Sequence, residues 1–401
     1  MSVTERSKVP PGQEYSWVAW TGNFEVLQDF LAEKESAFWN LLYFLDALLR
    51  GCSQVVLANN PISGLLIVIT LAVSAPGTLI CSGTTALLGL LLSVLLRDSQ
   101  HNIANGLTVF NPFLVGAVSY ALIPKIYGTF DAFSILLVTL GTIFSIYLTR
   151  ALGNSKSPFL AWPFNFTEFA LLLVLYTQEN GAESTEQLQP IMGADNATSD
   201  ATTGNVSFIG ANATNVHIDW GMLFHATVVS ASQPFAVESV VTGSVVYLAV
   251  LLFSPTTAGF AFLGALIGSS AGLILGVELN EIYAGFWGYN PFLTGAAVGG
   301  TFFVLNGQIV AATLVAIVQT TIVQYALTVL LKQLQLPVLS LPFVMVTSLF
   351  LKLTNNVGDK TFPRPLSVSF PEKQRHDYLA NQRMLIDQVN DPEDVEENVK
   401  G

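Results

Sequence analysis

Long unbroken apolar runs, each closed by Pro, Gly or a short polar cluster, dominate the chain. They cover roughly residues 61–96, 107–124, 132–149, 158–177, 240–276, 286–304, 308–331 and 336–353. The run at 61–96 reads as two passes that pivot near Pro76 and Gly77. A bilayer core about 30 Å thick takes about 20 apolar residues per helical crossing. These runs therefore predict an all-α polytopic membrane protein. Polar stretches divide the chain into an N-terminal tail (1–36), a first membrane unit (37–177), an insert (178–217), a second membrane unit (218–353) and a C-terminal tail (354–401).

The two membrane units are copies. Gly106, Phe110, Asn111, Pro112, Phe113, Leu114 and Gly116 recur as Gly285, Tyr289, Asn290, Pro291, Phe292, Leu293 and Gly295, an offset of 179 residues. The same offset carries Ser53 and Gln54 onto Ser232 and Gln233, Gly64 onto Gly243, Pro158 onto Pro337, and Pro163 and Phe164 onto Pro342 and Phe343. One constant offset across separated anchors marks a structural repeat. An apolar duplication of this kind points to a transporter or channel with its pathway at the repeat interface.

Charge settles the expected orientation. Only 11% of residues are charged, against roughly 25% in soluble domains, and 51% are apolar. The net charge of −12 sits in the tails and one loop, with no basic stripe to suit nucleic acid. Cys52 and Cys81, both in apolar surroundings, read as free buried thiols. The insert has no Lys or Arg but carries three sequons, at Asn196, Asn205 and Asn212. The tail after Lys352 is basic in places, so the positive-inside rule puts both termini in the cytosol and the insert outside. A fourth sequon at Asn165 lies within an apolar run, out of reach of the glycosylation machinery. An odd number of crossings per unit follows, with the second unit inverted. Five spans plus one re-entrant element is the simplest count, the half-spans lying around Gln54 and Gln233 (53–60 and 232–239).

Enzyme chemistry finds little support. The four histidines have no metal-ligand spacing, and neither a phosphate loop nor a nucleophile elbow is present. No cofactor or metal is expected. The repeated Asn-Pro is expected to interrupt a helix and free carbonyls, which in matched pairs replace the hydration of a polar solute. Gln54 and Gln233 are neutral amides that both donate and accept, suited to a neutral polar solute or to helix–helix bonding. Asp46 and Glu278 read as solvated acids near span ends. Glu238 is placed at a vestibule, and Glu168 reads as a structural carboxyl with a proton relay as the alternative.

The segments Ser-Gln-Val-Val-Leu-Ala-Asn-Asn-Pro-Ile-Ser-Gly (53–64), Phe-Asn-Pro-Phe-Leu-Val-Gly (110–116), Trp-Pro-Phe-Asn (162–165), Gly-Phe-Trp-Gly-Tyr-Asn (285–290) and Leu-Pro-Phe (341–343) resemble the animal urea transporter family, as does the stretch 370–379. The resemblance runs from about residue 37 to 385. It implies two inverted homologous repeats, each with five transmembrane helices and one re-entrant pore helix, in plasma-membrane homotrimers with one pore per protomer. It implies passive, channel-like urea transport, the alternative being a proton- or ion-coupled secondary transporter using Glu168 or Glu238. By position it assigns Gln54 and Gln233 to the pore-helix ends, with Val55, Leu57 and Ala236 beside them. It assigns Phe110, Leu114, Tyr289 and Leu293 to the walls of the slot, and Ala161 and Ser340 to the mid-pore. The family often has Thr at these last two places and Phe at position 57. The departures imply a wider, less polar slot.

Overall fold

A computed structural model of the chain describes residues 18–34, 36–153, 158–186, 218–334, 336–354, 359–367 and 369–390. Among them every regular element is helical. The first half contains α1 (Glu25–Ala32), α2 (Ala37–Gln54), α3 (Pro61–Ser74), α4 (Pro76–Leu95), α5 (Gln100–Ala104), α6 (Phe110–Ile126), α7 (Ala132–Gly153) and α8 (Trp162–Glu186). The second contains α9 (Trp220–Val229), α10 (Val240–Phe253), α11 (Pro255–Ile274), α12 (Leu279–Tyr283), α13 (Tyr289–Ala296), α14 (Gly307–Leu331), α15 (Leu341–Phe350) and α16 (Pro371–Asn390). The stretches Pro76–Leu95, Ala132–Gly153, Pro255–Ile274 and Gly307–Leu334 are long and apolar enough to cross a bilayer. Helices suit that environment because they satisfy their own backbone groups.

The repeat in sequence is a repeat in backbone. Helices α3 and α10 are both 14 residues long, α4 and α11 both 20, and each pair starts one repeat offset apart. The positions hold while the chemistry changes. Asn60 caps α3, its Oδ1 accepting from the N–H of Ile62 (2.8 Å) and Ser63 (3.2 Å), whereas Ser239 caps α10 through Thr242 N–H (3.2 Å). Pro76 and Pro255 open α4 and α11, where a missing N–H costs no helical bond.

Left-handed turns repeat in the same register. Leu57 and Ala236 have φ of 63° and 56°, Leu160 and Leu339 of 47° and 49°, and Gly106 and Gly285 of 66° and 83°. A left-handed non-glycine residue costs about 1–2 kcal/mol, so a conformation kept twice by leucine has to be held by its surroundings. At Gly106 and Gly285 close approach adds to the φ requirement. A Cβ there would lie 2.3 Å from Gly51 N and 2.7 Å from Ser230 N.

The halves meet through α3 and α10. Ser63 Oγ donates to Ala249 O (2.6 Å), and Thr242 Oγ1 donates to Ser74 Oγ (3.0 Å). Polar residues of this kind join helices where the hydrophobic effect cannot. One apolar core runs through both halves, with Phe113 set edge-on to Phe235 at 6.2 Å. Both tails dock at one end of the bundle. Asn60 Nδ2 donates to Gly22 O (2.7 Å), Lys373 Nζ lies 2.5 Å from Glu25, and Glu372 accepts from Ser254 Oγ and Thr256 N–H.

Three expectations change. Gln54 does not sit in a short separate helix over 53–60. It is the last residue of the 18-residue α2, because nothing between Ala37 and Gln54 breaks a helix. Its counterpart Gln233 opens a three-residue 3₁₀ turn, where Pro234 follows. The Asn-Pro pairs do not interrupt helices either. They lie in the first turns of α6 and α13, where proline is tolerated. The copies diverge beyond that turn: α6 continues to Ile126, whereas α13 gives way at Ala297–Thr301 to a π turn with Gly300 at φ 154°.

Candidate functional site

A cavity of about 920 Å³ lies between the two halves. Its lining includes Gln54, Val55, Leu57, Phe110, Leu114, Ala161, Gln233, Ala236, Tyr289, Leu293 and Ser340, which are all the positions assigned to a pore from the sequence. Most come in repeat-related pairs. Leu57 and Ala236 follow the two glutamines in left-handed turns, while Leu160 and Leu339 turn the chain into α8 and α15.

The turns are set by the repeated asparagines. Asn111 Nδ2 donates to Leu160 O (3.3 Å), and its Oδ1 accepts from Phe164 N–H (3.2 Å). Asn290 does the same to Leu339 O (3.1 Å) and Phe343 N–H (3.4 Å). Each buried asparagine thus staples the start of one helix to the turn before another, which fixes where the turn carbonyl sits. The glutamines are tethers as well as lining. Gln54 Nε2 donates to Asn105 O (3.3 Å) and Gln233 Nε2 to Ala284 O (2.5 Å).

The walls differ between the halves. The Phe110 ring stacks on Phe159 at 5.9 Å and 11°. In the second half Tyr289 stands at the Phe110 position and Val338 at the Phe159 position. The Tyr289 hydroxyl donates to Leu339 O. Ser340 Oγ accepts from Asn165 Nδ2 (2.9 Å), which also donates to Ala161 O (2.8 Å). Asn165 is 1% exposed, which agrees with setting its sequon aside.

Every charged or histidine side chain that lines the cavity is exposed: His101, Lys125, Glu238, Glu281 and Arg364. Glu168 is not among the lining residues. It is fully buried, with both carboxylate oxygens near Ser119 Oγ on α6 (3.1 and 3.0 Å). Glu278 is exposed, as expected. Asp46 is not the solvated acid expected. It is 5% exposed and lies 2.7 Å from Arg50 Nε, and Arg50 is fully buried. Cys52 is buried, Cys81 half-buried, and both are free.

The family model described as urea transporter matches residues 45–355 of the chain. The chain belongs to the urea transporter family. It is 29% identical to rat urea transporter 1 over 374 residues, covering 92% of this chain and 91% of the relative. It is also 29% identical to urea transporter 1 of mouse (92% and 91% covered) and of sheep (91% and 90%). This urea transporter family member is a multi-pass membrane protein and not an enzyme. No group of His, Cys, Asp and Glu side chains suited to a metal occurs among its described residues.

Two buried polar residues that support the site escaped the sequence reading. Arg50 donates to Asn23 O (2.6 Å), Asn59 O (3.2 Å) and Asn59 Oδ1 (3.3 Å), holding the N-terminal segment against the end of α2. The available signal was an Asp and an Arg four residues apart in an apolar helix, the spacing that pairs charges on one face. Gln324 on α14 donates to Phe286 O (2.8 Å) and accepts from Asn290 (3.2 Å). Its repeat counterpart is Ser145, so the repeat pattern hid it.

Proposed function

We propose that this chain conducts urea passively through the cavity between its repeats. The observation that carries the reading is the placement of charge: all ionisable side chains along the lining apart from Tyr289 are exposed, and the buried part is neutral. Urea is small, planar and uncharged, with four N–H donors and one strong acceptor. Each hydrogen bond to a lining carbonyl returns about 0.5–1.5 kcal/mol net. That offsets lost hydration yet lets the solute leave. An ion entering the same neutral passage loses hydration worth several kcal/mol with no fixed partner. The names of the mammalian relatives support urea as the solute.

The test is tracer urea flux into proteoliposomes, with and without imposed proton gradients and voltages. Flux that follows the urea gradient alone is expected. Uphill accumulation driven by protons or sodium overturns the reading in favour of the coupled alternative. Glu238, at the cavity lining, then becomes the coupling candidate ahead of Glu168, which lies away from it.

The same reading places both termini in the cytosol of plasma-membrane homotrimers with one conducting cavity per protomer. Each repeat makes five crossings and one re-entrant excursion, the second inverted. Asn196, Asn205 and Asn212 lie outside the described residues and are proposed to carry glycans on the external side. Enzymatic deglycosylation should raise gel mobility. The mass of the detergent-solubilised particle should correspond to three chains.

A further inference from the structure

The carbonyls of the two repeat-related lining residues Leu160 and Leu339 are not equivalent. A backbone carbonyl has two lone pairs. Among the described residues, Leu160 O accepts a side-chain bond from Asn111 alone, which leaves one lone pair. Leu339 O accepts from both Asn290 Nδ2 and the Tyr289 hydroxyl, so both its lone pairs are taken. Phe110, the repeat counterpart of Tyr289, has no hydroxyl to give. The slot therefore offers a passing solute a carbonyl acceptor on its first-repeat side and a capped carbonyl on its second.

We propose that Tyr289, by capping Leu339 O, makes the slot one-sided and widens the accepted solutes from urea to small primary amides with a methyl at one end. This rests on the conduction reading above. A solute crossing such a slot needs an N–H end for Leu160 O. Its other end meets no free carbonyl. The phenolic oxygen of Tyr289 retains acceptor capacity, but its lone pair is shared with the ring and makes the weaker bond. The Phe110–Phe159 ring pair gives an apolar wall against which a methyl group is as well placed as an amino group. Urea therefore loses the advantage of its second amino group in this chain.

Urea and acetamide test this directly. They are nearly the same size and shape, so changes in passage width cancel in their permeability ratio and the hydrogen-bonding difference remains. The wild-type protein in proteoliposomes is expected to pass both within about threefold of each other. Tyr289→Phe releases Leu339 O and should raise the urea-to-acetamide ratio about two- to tenfold, the range of one hydrogen bond. Phe110→Tyr should cap Leu160 O and shift the ratio the opposite way. Should Tyr289→Phe fail to fold, Phe110→Tyr decides alone. Urea flux retained in both variants with the ratio unmoved overturns the proposal and leaves urea conduction standing. A wild-type protein that passes no urea overturns the conduction reading and this proposal together.

Discussion

The end of α2 and its counterpart after α9 share a left-handed residue at the same register but differ in reinforcement. At the first, Gln54 sits in a buried polar network. Arg50 pairs with Asp46 and reaches Asn23 and Asn59, Asn59 Nδ2 donates to Asn105 Oδ1 (2.7 Å), and Gln28 donates to the same oxygen (3.3 Å). At the second, Arg50 is replaced by Val229, Asp46 by His225, Asn59 by Glu238 and Asn105 by Ala284. Among the described residues the Gln233–Ala284 bond is what remains of the pattern, with Pro234 in the turn. Both ends keep a left-handed residue at the same register, Leu57 and Ala236. That left-handed turn is therefore kept with either set of side chains. What the network adds at the first end is a hold on the N-terminal segment.

The sharpest way to break this comparison is to remove the charge at one end. Arg50→Met leaves Asp46 buried without its partner and should cost about 3–5 kcal/mol in thermal unfolding of the solubilised protein. Val229→Ala, at the matching place, should cost about 2 kcal/mol through lost methyl burial. If the two losses are equal, the network carries no special share of stability. The double variant Asp46→Leu with Arg50→Met removes the uncompensated charge and should recover most of the loss. It does not restore the bonds to Asn23 and Asn59, so hydrogen exchange over residues 18–30 should stay fast. Protection there at the wild-type level would show that Arg50 does not hold the segment.

Asn111→Ala and Asn290→Ala come next, at about 1–3 kcal/mol each for the buried groups they strand. The two losses should be similar: Asn111→Ala strands Leu160 O and Phe164 N–H, whereas Asn290→Ala strands Gln324 Oε1 and Phe343 N–H but leaves Leu339 O its bond from Tyr289. Denaturation midpoints of the two variants in the same detergent compare them. The smallest effect belongs to the glutamines. Gln233→Ala should lower urea flux by up to about tenfold, the reach of one hydrogen bond. Gln54→Ala should do less, because Asn59 and Gln28 still fix Asn105. A larger fall for Gln54→Ala would mean that its amide meets the solute rather than the loop.

The repeat was legible because its markers are backbone requirements. Gly106 and Gly285 satisfy a positive φ and a near approach, and Pro76 and Pro255 open helices. Such demands leave a residue type at a fixed place, so the offset could be read and the cavity positions followed from it. The extent of α2 was not legible, since polar Ser53 and Gln54 read as a boundary while the helix simply runs on to them. The Arg50 network was hidden for a different reason. Its partners Asn23 and Phe24 come from a tail that a reading by apolar runs treats as solvent-exposed. The capping of Leu339 O by Tyr289 joins residues 50 apart, and only the folded chain shows that a Phe-to-Tyr difference consumes a carbonyl.

Four residues held in left-handed turns along the cavity, Leu57, Leu160, Ala236 and Leu339, set backbone strain against side-chain packing. Glycine at any of them would relax the backbone by about 1–2 kcal/mol, but at buried Leu160 and Leu339 the lost packing would cost more. It would also strip a side chain from the wall and loosen the passage. At Leu160 and Leu339 sturdiness and discrimination therefore favour keeping the same side chain.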